Sequence, residues 1–292
     1  MLGDILPYLV CPICEKDLAA SEGRVRCANG HSFDVARQGY INLLPGGALA
    51  STADTAAMVQ ARADFLAEGH FASLAELLAD RVAAAIRPTA GTPTAGTPTA
   101  GAGCVLDAGA GTGYYLAAAL ERSTTAVGLA CDISKFAARK AARAHPRLGA
   151  VVCDVWRTLP VRSGIADAVL NVFAPRNAAE FRRVLRPDGV LLLITPTARH
   201  LEELVRPLRL LSVDDEKTQR IDSAVGDHFT LAAREDHEIR LRLDHRAAET
   251  LALMGPSAWH LTAAKVREGL ADVADPVSVR ASFTLSVYRP VG

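Results

Sequence analysis

The chain has 292 residues, half of them apolar, with 32 basic and 32 acidic side chains that cancel to a formal charge of zero. That length supports one full-sized core plus a smaller unit, and the cancelled charge excludes a globally basic protein that coats nucleic acid, so any nucleic-acid contact must be local. The start MLGDILPYLV has neither a basic n-region nor a long apolar stretch, and no later run approaches the ~20 apolar residues of a membrane span, so the expectation is a soluble, cytoplasmic protein that does not engage a membrane.

In chain order, the first signal is CPICEKDLAASEGRVRCANGHSF, which places Cys11, Cys14, Cys27 and His31 at CxxC and CxxxH spacing. Two knuckles that present two sulfurs and then a sulfur and an imidazole can close a tetrahedron of ~2.0–2.3 Å bonds around Zn2+. With all four positions supplied by protein, such a site is structural. Residues 1–45 therefore read as a small metal-stapled ribbon whose own core is too small to fold it. Cys104, Cys131 and Cys153 lie inside apolar runs and read as reduced buried thiols rather than a disulfide framework.

Between 54 and 87 apolar residues recur at three- and four-residue steps with a break at Gly69, which predicts two helices. Residues 88–103 repeat a TPTAG unit without charge or large side chains, and read as a mobile low-complexity loop. From 104 onward short apolar runs alternate with helical patterns: CVLDAGAG, AVGLACD, AVVCD, DAVLNVF and GVLLLIT, then EIRLRLD and SFTLSVYR. This alternation predicts an α/β fold with a doubly wound, mostly parallel sheet, the last two runs being antiparallel edge strands.

In VLDAGAGTGYY, Asp107 ends a strand and Gly109, Gly111 and Gly113 precede a helix, so the backbone can approach a ligand closely and the helix start offers free amides. Asp107 either orients this loop or touches the cofactor. Asp132 ends the next strand about 20 residues on, where a carboxylate can accept from ribose hydroxyls. Asp154 ends the third, at a place suited to an adenine amino group. The GAGTG spacing is tighter than the GxGxxG of nicotinamide binding. Together these features resemble the S-adenosylmethionine-dependent methyltransferases of the seven-stranded Rossmann-like class.

A more specific resemblance lies in CPICEKDLAASEGRVRCANGHSFDVARQGYINLLP, with FLAEGHF, LDAGAGTGYY, DISKFAARKAA, VFAP and TPTARHLEEL further on. These are similar to the RlmA-type 23S rRNA guanine-N1 methyltransferases. Ala110 and Thr112 stand where that family often carries Cys or Glu in the glycine loop, and the TPTAG insert is peculiar to this chain. The resemblance implies a zinc-binding, RNA-recognising ribbon over 1–45 and a methyltransferase domain over 46–292. It further implies S-adenosylmethionine as cofactor, N1 of a guanine in a 23S rRNA hairpin as acceptor, a homodimer and, in some members, macrolide resistance.

N1 lies on the Watson–Crick edge, so the target base must be unpaired or flipped into a pocket. The catalytic candidates are Asn171 in NVFAP, together with His200 and Glu203 in RHLEEL. Tyr115 belongs with the cofactor group and, like Phe173, is available to stack, although Phe173 in an apolar run reads first as core. Arg24, Arg26, Arg176 and Arg199, with Arg182 and Arg183, are the RNA-backbone candidates. Trp259 and His260 belong to a substrate-side loop, or Trp259 simply packs. Two other readings are a small-molecule methyltransferase of antibiotic biosynthesis, which leaves the ribbon without a task, and a non-catalytic RNA-binding protein with a relic cofactor fold.

Overall fold

The computed structural model describes residues 2–45, 53–86, 103–211 and 217–292. All but the last residue of the TPTAG segment lies outside them. The first three strands, β1 (Leu18–Ser21), β2 (Arg24–Cys27) and β3 (Ser32–Asp34), form a small antiparallel ribbon in the order β1-β2-β3.

The remaining strands are β4 (Tyr40–Asn42), β5 (Cys104–Ala108), β6 (Val127–Asp132), β7 (Leu148–Val152), β8 (Ala166–Val172), β9 (Leu185–Pro196), β10 (Phe229–Leu243) and β11 (Val277–Pro290). They make one sheet in the order β10-β11-β9-β8-β5-β6-β7-β4. Strands β4 to β9 run parallel, and β11 and β10 follow antiparallel. Every residue of β5, β7 and β8 is buried, because helices and loops cover both faces and leave no polar side.

Two apolar layers result. On one face, Phe65, Leu74, Leu78, Leu116 and Leu251 from the helices pack on Val105, Ala130 and Leu170; on the other, Ile5, Leu9, Phe181 and Val225 pack on Leu106, Leu129 and Val169. The two helices expected before the TPTAG segment are Ala56–Ala67 and Ala72–Ala85, separated near Gly69.

The sheet differs from expectation at both ends. An eighth strand, β4, comes from the N-terminal segment and pairs with β7, Ile41 opposite Val151. The ribbon is fastened further by Val10 N donating to Pro160 O at 3.0 Å and by the Arg162–Asp17 ion pair at 2.6 Å. At the other end only β10 is an edge strand. β11 lies between β10 and β9 instead of at the edge, and its Ser282, Thr284 and Ser286 are buried, so the polar residues that alternate through SFTLSVYR are interior. The Thr284 hydroxyl bonds Asp236 at 2.7 Å, and Ser282 Oγ accepts from Thr197 at 2.8 Å.

Candidate active site

The crossover between β5 and β8, where the chain winds away in both directions, opens a cleft at the C-terminal strand ends. A cavity of ≈ 760 Å³ occupies it. Gly109, Gly111 and Gly113 all have left-handed backbones, with φ of 88°, 54° and 78°. The helix Tyr114–Arg122 starts directly after them. A Cβ on Gly109 would overlap Ala174, and one on Gly113 would lie 3.0 Å from Ala141 Cα.

Asp132 holds this loop. Its Oδ2 accepts from Gly111 N and its Oδ1 from Ser134 N, each at 2.8 Å. Burial pushes its carboxyl up to about 6 against the two amides, which favour the charged form. Asp107 is 1% exposed, and its Oδ1 has no partner. Burial, and then the charge of Asp132, push it up to about 8. The Tyr115 hydroxyl is a second buried polar group without a partner in the same cavity wall. Buried polar atoms of this kind are normally satisfied, so two beside a glycine cradle fit a ligand with its own polar groups. Asp154 also lines the cavity and accepts from Trp156 N at 3.0 Å.

The acceptor side is built by NVFAP. Asn171 does not face the cavity with its amide: Nδ2 donates to Ala108 O at 3.0 Å and to Pro175 O at 2.7 Å, tying this loop to the glycine loop. Phe173, read first as core, is 44% exposed with φ of 55° and lines the cavity. Such a backbone is strained for an aromatic residue and clusters at functional sites. Its ring rests on Phe283 at 5.3 Å, with Tyr115 at 6.4 Å.

Of the other candidates, His200 lines the cavity, and its Nδ1 accepts from Ser282 N at 3.2 Å, which places the ring proton on Nε2. Glu203 is outside the lining; its Oε2 accepts from Arg280 N at 3.0 Å. Arg176 is half-buried in the wall with no partner for Nε, and burial lowers its pKa.

The remaining arginines are engaged elsewhere: Arg24 with Asp34 at 3.2 Å, Arg199 with Glu238 at 3.3 Å, Arg182 with Val291 O at 3.0 Å and Arg183 with Glu180 at 2.7 Å. Arg26 is exposed on β2. Trp259 and His260 do not line this cavity.

Among the lining residues that the sequence analysis did not single out are Arg62 and Trp156. Arg62 bonds Asp54 at 2.5 Å and Met254 O at 2.7 Å, tying the helix Ala56–Ala67 to the end of the helix His245–Met254 in the cavity wall. Trp156, 66% exposed, stands two residues beyond Asp154. The only signals were Arg62's place just before FLAEGHF and an aromatic residue right after a strand-end acid.

In the ribbon, the ligand atoms of Cys11, Cys14, Cys27 and His31 all lie within 4.8 Å of one another. Cys14 Sγ is 3.6 Å from Cys27 Sγ, and His31 Nδ1 is 3.5 Å from Cys11 Sγ and 3.4 Å from Cys27 Sγ. A zinc tetrahedron has edges of about 3.6–3.8 Å, so the donor set fits that ion.

A doubly wound sheet with this strand order and glycine cradle defines a methyltransferase of the S-adenosylmethionine-dependent class. The family model described as "RlmA, N-terminal" matches residues 9–50, and a "Methyltransferase domain" model matches 105–189. A Micromonospora griseorubida protein named for 23S rRNA guanine-N1 methylation is 50% identical over 100% of both chains. The 23S rRNA (guanine(748)-N(1))-methyltransferase of Streptomyces fradiae is 46% identical, also over 100% of both. Bacillus subtilis (strain 168) YxjB, named for guanine-N1 methylation too, is 32% identical over 85% of this chain and 86% of its own. The chain belongs to the 23S rRNA (guanine-N1)-methyltransferase family.

Proposed function

We infer that this chain methylates N1 of a guanine in 23S rRNA, and that the guanine at position 748 is its target. The observation that carries this reading is the end-to-end similarity to the Streptomyces fradiae enzyme, ribbon included. A small-molecule methyltransferase would need only the core and would leave the ribbon unexplained.

S-adenosylmethionine, when bound, supplies an electrophilic methyl group on a sulfonium. The residues proposed to hold it are Gly109, Gly111 and Gly113 through their backbone, Asp132 and Asp154 through carboxylates, and Asp107 and Tyr115 through the two unpartnered polar atoms. Phe173 offers a ring face to the flipped guanine, and Asn171 sets that ring by clamping its loop. His200 lines the acceptor side of the cavity, its Nδ1 held by Ser282 N. Most of the acceleration comes from holding two reactants in line.

Cys11, Cys14, Cys27 and His31 are proposed to bind zinc, and residues 1–45 to present the RNA with a rigid surface beside the cavity, with 46–292 as the methyltransferase domain. A cytoplasmic homodimer that protects the producing cell against a macrolide completes the reading. Among the described residues no helix is long and apolar enough to cross a membrane.

The test is incubation with labelled S-adenosylmethionine and unmodified 23S rRNA, then primer extension, because N1-methylguanine stops reverse transcriptase. One new stop at guanine 748 is expected. Label at another base, or none despite cofactor binding, overturns the reading.

A further inference from the structure

The helix Lys135–Ala141 and the turn after it bury Ala137, Ala138, Ala141 and Ala142 against the sheet. What remains outside is Lys135, Phe136, Arg139, Lys140 and Arg143, all exposed. From 133 to 153 the chain has no acidic residue, so these cations have no local neutralising partner. None of the four makes an ion pair among the described residues, whereas the exposed Arg24, Arg81, Arg122, Arg157, Arg199 and Arg267 each hold one. Lys135 and Arg139, then Arg139 and Arg143, are like charges four residues apart, an arrangement that costs a helix stability. Lys135 also sits in the first turn, where the helix dipole disfavours a cation.

The N-terminal segment extends this surface. Its turn Ala36–Gly39 lies against the end of the helix, a Cβ on Gly39 being 4.0 Å from Ala142 Cβ, and it carries the exposed Arg37, which makes no ion pair among the described residues. At its other end the helix begins just after Asp132 and Ile133, which line the cavity. The patch thus runs from the ribbon's exit to the cavity mouth.

We propose that this helix face, Lys135, Arg139, Lys140 and Arg143 with Arg37, is the principal dock for the phosphate backbone of the substrate RNA, with exposed Phe136 available to an unstacked base. The proposal rests on the rRNA reading above. It explains how a chain of zero net charge grips a polyanion: the cations are gathered where no carboxylate cancels them. It also moves the contact away from Arg24, Arg182, Arg183 and Arg199, whose groups are already engaged.

The test compares wild type with K135Q/R139Q/K140Q/R143Q and with a control, R122Q/R246Q/K265Q/R267Q, that removes equal charge from other helices. Binding of unmodified 23S rRNA is measured across a salt series, alongside cofactor affinity and thermal melting. The patch variant is expected to lose at least about tenfold in RNA affinity near 0.1 M salt, and its log K against log salt slope should flatten by about 2 to 3, the loss of several phosphate contacts. Cofactor affinity and kcat at saturating RNA should stay at wild-type values, and the control should bind like wild type. Arg139→Glu alone should weaken binding without changing the melt. Unchanged affinity and slope in the patch variant, or equal loss in the control, overturns the dock. Failure of wild type to methylate rRNA at all would instead overturn the function, so the two failures are distinct.

Discussion

Gly109 and Ala174 interlock: the glycine's missing side chain is the space that the Ala174 methyl fills. The cofactor loop after β5 and the acceptor loop after β8 are therefore one packed unit.

Gly109→Ala meets two penalties, the Ala174 clash and a φ of 88°, and should weaken cofactor binding at least about tenfold while costing roughly 1–3 kcal/mol of stability. Adding Ala174→Gly should restore only the steric part. Calorimetric titration and melting of the single and double variants provide the cycle, and strict additivity would contradict the interlock.

Asn171→Ala strands the carbonyls of Ala108 and Pro175, which the native amide satisfies. The expected loss is about 1–3 kcal/mol, together with a fall in kcat that exceeds any rise in the RNA KM, because the loop bearing Phe173 loses its position. An unchanged kcat with a lowered melting temperature would limit Asn171 to a structural role.

Asp107 should make the empty protein less stable as pH rises. Its folded pKa, raised to about 8, lies above the ordinary carboxyl value, so the folded state binds the extra proton between pH ~4 and ~8, and stability is progressively lost across that window. Asp107→Asn should remove this slope and stabilise the empty protein at pH 8 by about 1–3 kcal/mol, yet weaken cofactor binding. Cofactor affinity of the native protein should improve from pH 6.5 to 8.5 if its cationic group meets the ionised carboxylate. Melting curves and titrations at several pH values test both arms.

Cys27→Ser, or a strong chelator, should release one zinc per chain and melt the ribbon. Because the glycine loop is built from β5, β6 and the helices over them, cofactor affinity should change by less than about threefold, while RNA affinity falls. Metal analysis with both titrations decides; loss of cofactor binding would show that β4 transmits the ribbon's state into the cavity.

The sequence by itself determined the elements that depend on neighbouring residues. Knuckle spacing marked Cys11, Cys14, Cys27 and His31, and the glycine pattern marked the cradle with Asp107 and Asp132, because ligand geometry and turn geometry are local. Runs such as DAVLNVF, alternating with helical patterns, announced the strands of a doubly wound, mostly parallel sheet.

Only the tertiary structure decided what depends on distant partners. Tyr40–Asn42 became an eighth strand because β7 offered an open edge, and SFTLSVYR became interior because β10 pairs outside it. Asn171 became a clamp and Phe173 an exposed ring because two loops from separate strands meet there. Arg183 was drawn to Glu180, while Lys135, Arg139, Lys140 and Arg143 make no ion pair among the described residues. Whether a charge is neutralised is a property of packing, since a carboxylate that cancels a cation can come from anywhere in the chain.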